Sequence, residues 1–243
     1  MAEHMVLTTG EKRKSYVKKM FNAIAHRYDL LNHLLSFGLD IHWRKKAISK
    51  LDRKAPCRHV LDLACGTGDF ANETAKSKGT RVIGADIALR MLKFGRKKLS
   101  PQRVIMLNAD GEHLPLKDES FDAVTIAFGI RNMGDMRAAL SEMQRILRPG
   151  GQCIILEFSL PRLKILRSAY LLYFKNILPL AGRMISGHSE AYSYLPASVD
   201  AFPETDQFIQ QMENSGFNDV RYWPLFSGVA VIYKGYRKTG ISS

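Results

Sequence analysis

Apolar residues follow two rhythms along this chain. Over residues 11–50 they recur at helical spacing, with Val17, Met20, Phe21, Ile24, Tyr28 and Leu31 forming one stripe. That spacing predicts helices broken at Ser36-Phe37-Gly38 and resumed over Trp43–Leu51. Over residues 58–158 short runs rich in Val, Ile and Leu alternate with helix-like segments. The runs predict strands at His59–Leu63, Arg81–Asp86, Val104–Asn108, Ala123–Phe128 and Gln152–Phe158. Helices are predicted between them at Phe70–Lys78, Ala88–Leu99 and Met136–Leu147. Residues 160–200 break the rhythm. There Leu163, Leu166, Tyr170, Tyr173, Phe174 and Ile177 make an apolar helical stripe, loosened by Pro179, Gly182 and Gly187. A helix over Glu204–Asn214, closed by Gly216, and strands at Val220–Pro224 and Val229–Tyr233 complete the pattern.

Strand–helix alternation with buried, parallel-type strands predicts an α/β fold with a doubly wound, mostly parallel sheet and helices on both faces. The organisation expected is a loose tail over 1–10 and a single domain over 11–243. Within the domain, 11–57 is a helical cap, 58–158 the ligand-binding core, 159–200 an insertion and 201–243 a closing helix and strand pair.

Charge adds one feature. The net formal charge is +13, and residues 1–59 alone carry +8 of it. Residues 160–189 hold Arg162, Lys164, Arg167, Lys175 and Arg183 and no acid. Such blocks attract polyanions, either nucleic acid or an anionic membrane face, or else form a solvated surface. The scattered Cys57, Cys65 and Cys153 argue against a zinc site or a disulfide framework, so a reducing cytoplasm is expected. No apolar leader or membrane-spanning run is visible, so any membrane contact is expected from the surface.

The chemistry concentrates at strand ends. In Asp62-Leu-Ala-Cys-Gly66-Thr67-Gly68-Asp69 a strand turns into a helix, and the glycines allow a sharp bend and close approach to a ligand. Position 71 is Ala, so the dinucleotide pattern of three glycines is incomplete. Asp62 and Asp69 bring negative charge that suits a cationic amino-acid moiety better than a diphosphate. S-adenosylmethionine (SAM) carries an ammonium group and a sulfonium. Asp86 ends the next strand, with Ile87 after it, and is placed to accept hydrogen bonds from ribose hydroxyls or to cap the following helix. Asp110-Gly111, after the third strand, is placed to meet an adenine amino group, with Met91 and Leu114 near the ring. Arg131 and Asn132 follow the fourth strand, where open α/β sheets place ligands, and are expected to orient an oxygenated substrate.

With these stretches in place, the chain resembles the ubiquinone/menaquinone biosynthesis C-methyltransferases over nearly its whole length. The resemblance is carried by Tyr28-Asp-Leu-Leu-Asn32, Ser36-Phe-Gly38 and Trp43-Arg-Lys45, and by Val60–Phe70. It continues in Arg131-Asn-Met-Gly-Asp135, Arg145-Ile-Leu-Arg-Pro-Gly-Gly151, Tyr192-Ser-Tyr194-Leu195, Ser198 and Phe202-Pro203. It implies a class I SAM-dependent methyltransferase (Rossmann-like) fold, cofactor contacts at Thr67, Asp86 and Asp110-Gly111, and a Ser where this chain has Ala127. The activity implied is methylation of a ring carbon in a demethylated prenyl quinol, benzenoid or naphthoid, yielding S-adenosylhomocysteine and needing no metal. Arg131 is expected to stabilise the phenolate and Asn132 to orient the same oxygen, with Tyr28, His188 and Tyr192 as candidate bases. The expected setting is the inner face of an anionic membrane, with no nucleic acid and with a homo-oligomer left open. A methyltransferase acting on RNA or another phenol or lipid, and a non-catalytic SAM-binding membrane protein, remain the alternatives.

Overall fold

The computed structural model describes residues 8–36, 38–52, 57–76, 80–161, 172 and 189–239. Three helices come first: α1 (Glu11–Ile24), α2 (Tyr28–Leu35) and α3 (Leu39–Ile48). The core then runs β1 (His59–Leu63), α4 (Asp69–Lys76), β2 (Arg81–Asp86), α5 (Leu89–Lys98), β3 (Val104–Asn108), β4 (Phe121–Ala127), α6 (Met136–Ile146) and β5 (Leu147–Phe158). After it come α7 (Ser189–Asp200), α8 (Thr205–Asn214), β6 (Phe217–Leu225) and β7 (Ala230–Arg237).

The strands form a seven-stranded sheet in the order β3-β2-β1-β4-β5-β7-β6. Strands β1 to β5 pair in parallel, and β7 runs antiparallel between β5 and β6. Alternation along each strand sorts the core into two layers. Leu61, Leu63, Val124, Ile126, Cys153 and Ile155 pack against Leu140 and Met143 of α6 and Phe208 and Met212 of α8. Their neighbours in sequence face the other way. Val60, Val82 and Ala123 meet Ala71 and Ala75 of α4 and Leu92 of α5, and Ile154 and Leu156 meet Trp43 and Ala47 of α3.

Several boundaries differ from the predicted ones for identifiable reasons. The stripe from Val17 to Leu31 is two helices, because a turn at Ala25–Arg27 separates α1 from α2. Strand β5 begins at Leu147 rather than Gln152: Leu147 pairs with Phe121 before the register shifts, so the Arg-Pro-Gly-Gly segment is a strand irregularity. Phe128 leaves β4 with a positive φ of 57° and starts the loop instead of ending the strand. The apolar stripe at 163–177 and most of the predicted insertion lie outside the described residues.

Candidate functional site

The order of the sheet reverses between β1 and β4, and ligands of open α/β sheets bind at the strand ends beside such a switch point. A partly open cavity lies there. Leu63, Ala64 and Gly66 wall it after β1, Asp86 and Ile87 after β2, Asp110 and Gly111 after β3, and Ala127, Phe128 and Asn132 after β4. Lys14, Val17 and Phe21 of α1, Tyr28 of α2 and Met91 of α5 enclose it from outside the sheet.

Gly66 takes a positive φ of 58°, which a side chain would strain, and its N–H donates to Asp86 Oδ2 at 2.8 Å. Asp86 Oδ1 accepts the Ala88 N–H at 2.7 Å, so this carboxylate ties the β1 turn to the start of α5. Burial pushes Asp86 above the usual carboxylate range, against the pull of these two amides. Asp62 stands behind the turn and does not line the cavity. Burial pushes it up to about 7, partly offset by the Thr125 hydroxyl, which donates to Oδ1 at 2.9 Å. Its Oδ2 is buried without a hydrogen-bond partner.

Asp110 lies on the cavity wall and is tied to α1. Lys14 Nζ approaches Asp110 Oδ2 at 2.7 Å and Glu112 at 3.3 Å. Burial alone would raise Asp110; the Lys14 hydrogen bond, with the Glu112 amide, holds it below the ordinary value. Leu114 belongs to the hydrophobic core and not to the cavity, whereas Met91 lines it.

Thr67 and Gly68 turn away from the cavity. The Thr67 hydroxyl donates to Asp29 Oδ1 of α2, and Lys98 Nζ lies 3.1 Å from the same hydroxyl. Lys98 also binds Asp29 at 2.6 Å and Asp69 at 2.5 Å. A side chain on Gly68 would collide with Leu99 and Met106. The Thr67 hydroxyl thus latches the loop to the N-terminal helices. The latch extends through Asp40, which His33 approaches at 2.9 Å, Arg44 at 2.5 Å and the Ser36 hydroxyl at 2.7 Å. The sequence pattern gave no role to Asp29, His33, Asp40, Arg44 or Lys98. The signal present was that Tyr28–Asn32, Ser36 and Trp43–Lys45 stood out together.

Arg131 has the structural partner that sequence reading did not find. Its guanidinium lies 2.5 Å from Glu157 Oε1 and donates to the Phe128 carbonyl at 2.7 Å and to Ser198 Oγ at 3.3 Å. It is not among the residues lining the cavity, although its charge reaches Tyr28. Asn132 does line it. Asn132 Nδ2 donates to the Phe128 carbonyl at 3.2 Å, and Oδ1 is buried with no partner. Burial, only partly countered by the charge of Arg44, raises Tyr28 above the ordinary phenol value, so the hydroxyl is a donor rather than a base near neutrality. Phe128 stacks on Phe158 at 4.4 Å, with Trp43 beside both, and closes this end of the site. His188 lies outside the described residues. Tyr192 belongs to α7, but its side chain is also outside them.

The wall fits SAM in its chemistry. Asp86 and Asp110 offer acceptors, the open backbone at Gly66 leaves room for close approach, and apolar Met91, Phe21 and Ile87 suit a purine.

The sequence profile of the ubiE/COQ5 methyltransferase family matches residues 8–237. The demethylmenaquinone methyltransferase of Thermus thermophilus is 48% identical over 221 residues, covering 90% of this chain and 100% of that protein. The ubiquinone/menaquinone biosynthesis C-methyltransferase UbiE of Geotalea daltonii is 43% identical over 232 residues, covering 93% and 96%. Among solved structures, a SAM-dependent methyltransferase of Thermotoga maritima, a possible histamine N-methyltransferase, superposes with a TM-score of 0.65 at 21% identity. That superposition covers 91% of this chain and 100% of the other. The fold is that of the class I SAM-dependent methyltransferases.

Proposed function

The chain belongs to the ubiE/COQ5 methyltransferase family, and we propose that it methylates a ring carbon of a reduced, demethylated prenyl quinol with SAM as donor. The observation that carries the reading is one cavity holding both cofactor-type acceptors, Asp86 and Asp110, and the unpartnered carbonyl oxygen of Asn132.

Chemistry fixes the redox state of the substrate. A quinone ring is electron-poor, whereas a hydroquinol, above all as its phenolate, pushes electron density onto the carbon beside the oxygen. When bound, SAM supplies an electrophilic methyl group on sulfur. Transfer of that methyl to the ring carbon would leave a neutral thioether, and the displaced ring proton would end on the phenolate oxygen that supplied the electron pair, restoring the aromatic ring.

The chain's own residues have three tasks. Asp86 and Asp110 hold the ribose and adenine ends. Asn132 Oδ1 accepts a quinol hydroxyl and so sets which carbon faces the methyl group. Val17, Phe21, Met91 and Phe128 exclude water from the reacting centre. Arg131 is read as a positioning residue: it clamps the Phe128 carbonyl, and its charge, balanced by Glu157, favours an oxyanion near Tyr28. Tyr28 donates a hydrogen bond and does not take the proton.

Among the described residues no helix is long and apolar enough to cross a membrane. The test is an Asn132→Ala variant assayed with a demethylated naphthoquinol. The expected result is a fall in kcat of about ten- to a hundredfold with the SAM dissociation constant within about twofold of wild type. Unchanged kcat would remove Asn132 from the site.

A further inference from the structure

The helices that wall the cavity carry an unusual outer surface. Residues 12–28 contain six Lys or Arg and no acid, and residues 87–109 contain another six and no acid. These stretches are α1 with its following turn, and α5 with the strand behind it. The two helices meet where the Arg90 N–H donates to Asn22 Oδ1 at 2.8 Å.

Burial sorts each helix cleanly. On α1, Lys14 and Val17 face the cavity while Lys18 and Lys19 are exposed; on α5, Met91 and Leu92 are buried while Arg90, Lys93 and Lys97 are exposed. Among the described residues none of these five exposed cations has an ion-pair partner. Two aliphatic side chains stand out beside them: Leu89 at the start of α5 is 42% exposed and Leu30 of α2 is 61% exposed. Leu30 follows Asp29, which Lys98 binds, so it lies beside the far end of α5.

We propose that the outer faces of α1 and α5, with Leu30 and Leu89, form a docking surface for an anionic lipid bilayer. The proposal rests on the prenyl-quinol reading, since a substrate dissolved in a bilayer must be met there. Each cation near an anionic surface strengthens attraction, and exposed aliphatic chains can enter the headgroup region. Because α1, α2 and α5 carry the cavity lining on their inner sides, docking by their outer sides brings the cavity against the lipid. A nucleic acid fits less well. Single strands bind on exposed aromatic rings, and the rings of α1 and α5, Tyr16, Phe21 and Phe94, are all at least partly buried.

The test uses the full chain and a K18Q/K93Q/K97Q variant. Both are floated with vesicles of phosphatidylcholine alone and of phosphatidylcholine mixed with phosphatidylglycerol. Wild type is expected to partition onto the mixed vesicles and not the neutral ones. The variant should lose about a hundredfold, from roughly fivefold per basic residue at an anionic surface. Turnover of a short-tailed, water-soluble quinol should stay unchanged in the variant, while turnover of a long-tailed quinol held in mixed vesicles falls. Equal partitioning of wild type and variant would overturn the proposal. So would wild-type binding that ignores phosphatidylglycerol, or tight binding of a single-stranded RNA by a protein that leaves the vesicles alone. The flotation needs no turnover, so failure of the surface and failure of the reaction read separately.

Discussion

The Arg131 guanidinium lies 2.5 Å from the Glu157 carboxylate, and both side chains are buried. Glu157 also accepts the Arg131 backbone N–H at 3.3 Å and the Phe158 N–H at 2.8 Å, so the pair joins the loop after β4 to the end of β5. Burial drives Glu157 upward, and Arg131 pulls it back. Removing one partner of such a pair leaves an uncompensated buried charge, which costs about 3–5 kcal/mol. Glu157→Gln is therefore expected to lower stability by about 3 kcal/mol in urea unfolding. A loss below about 1 kcal/mol would mean that the pair does not hold this loop.

Asp62 gives the protein a pH-dependent stability of defined sign. Its folded value of about 7 lies above the unfolded carboxylate value of 3.8, so between these the folded state holds a proton that the unfolded state has lost. Stability from this group thus falls as pH rises from about 4 to 7, by about 4 kcal/mol in all. Asp62→Asn should remove the slope and be more stable than wild type at pH ~8. Parallel pH–stability curves for the two proteins would contradict this.

The latch around Thr67 acts through the cofactor loop. Asp29→Asn weakens the acceptor for both Thr67 and Lys98, and Lys98→Met removes the cation from Asp29 and Asp69. Each is expected to raise the dissociation constant for S-adenosylhomocysteine by about two- to tenfold, the range of a lost hydrogen bond. Calorimetry on the pair and the double variant checks it. If the two act through one latch, the double variant should be weaker than wild type by less than the product of the single effects.

Tyr28 is held as a neutral hydroxyl, since burial raises it above the ordinary phenol value. Tyr28→Phe should lower kcat by about tenfold through the lost hydrogen bond while keeping the shape of the pH–rate profile. Disappearance of a limb of that profile in the variant would identify Tyr28 as the base.

Much of the core was legible in sequence because its strands are continuous apolar runs. The bounds of β1, β2 and β3 are those the pattern predicts. The cavity residues that end those strands, Gly66, Asp86, Ile87, Asp110 and Gly111, were legible for the same reason: strand ends fix where a ligand lies. Long-range polar contacts were not. Asp29 meets Thr67 across 38 positions and Arg131 meets Glu157 across 26, and no local pattern announces either. The break between α1 and α2 was hidden because Tyr28 and Leu31 continue the apolar stripe in phase and the turn at 25–27 contains neither Gly nor Pro.

The most direct test of the account is a methyl-transfer assay with the purified protein, SAM labelled on its methyl group, and demethylmenaquinol or a demethylated benzoquinol in reduced and oxidised form. The account predicts transfer of label to a ring carbon of the reduced quinol, with product mass raised by one methylene, and none to the oxidised quinone. Equal transfer to oxidised quinone, or label found on oxygen, would contradict it.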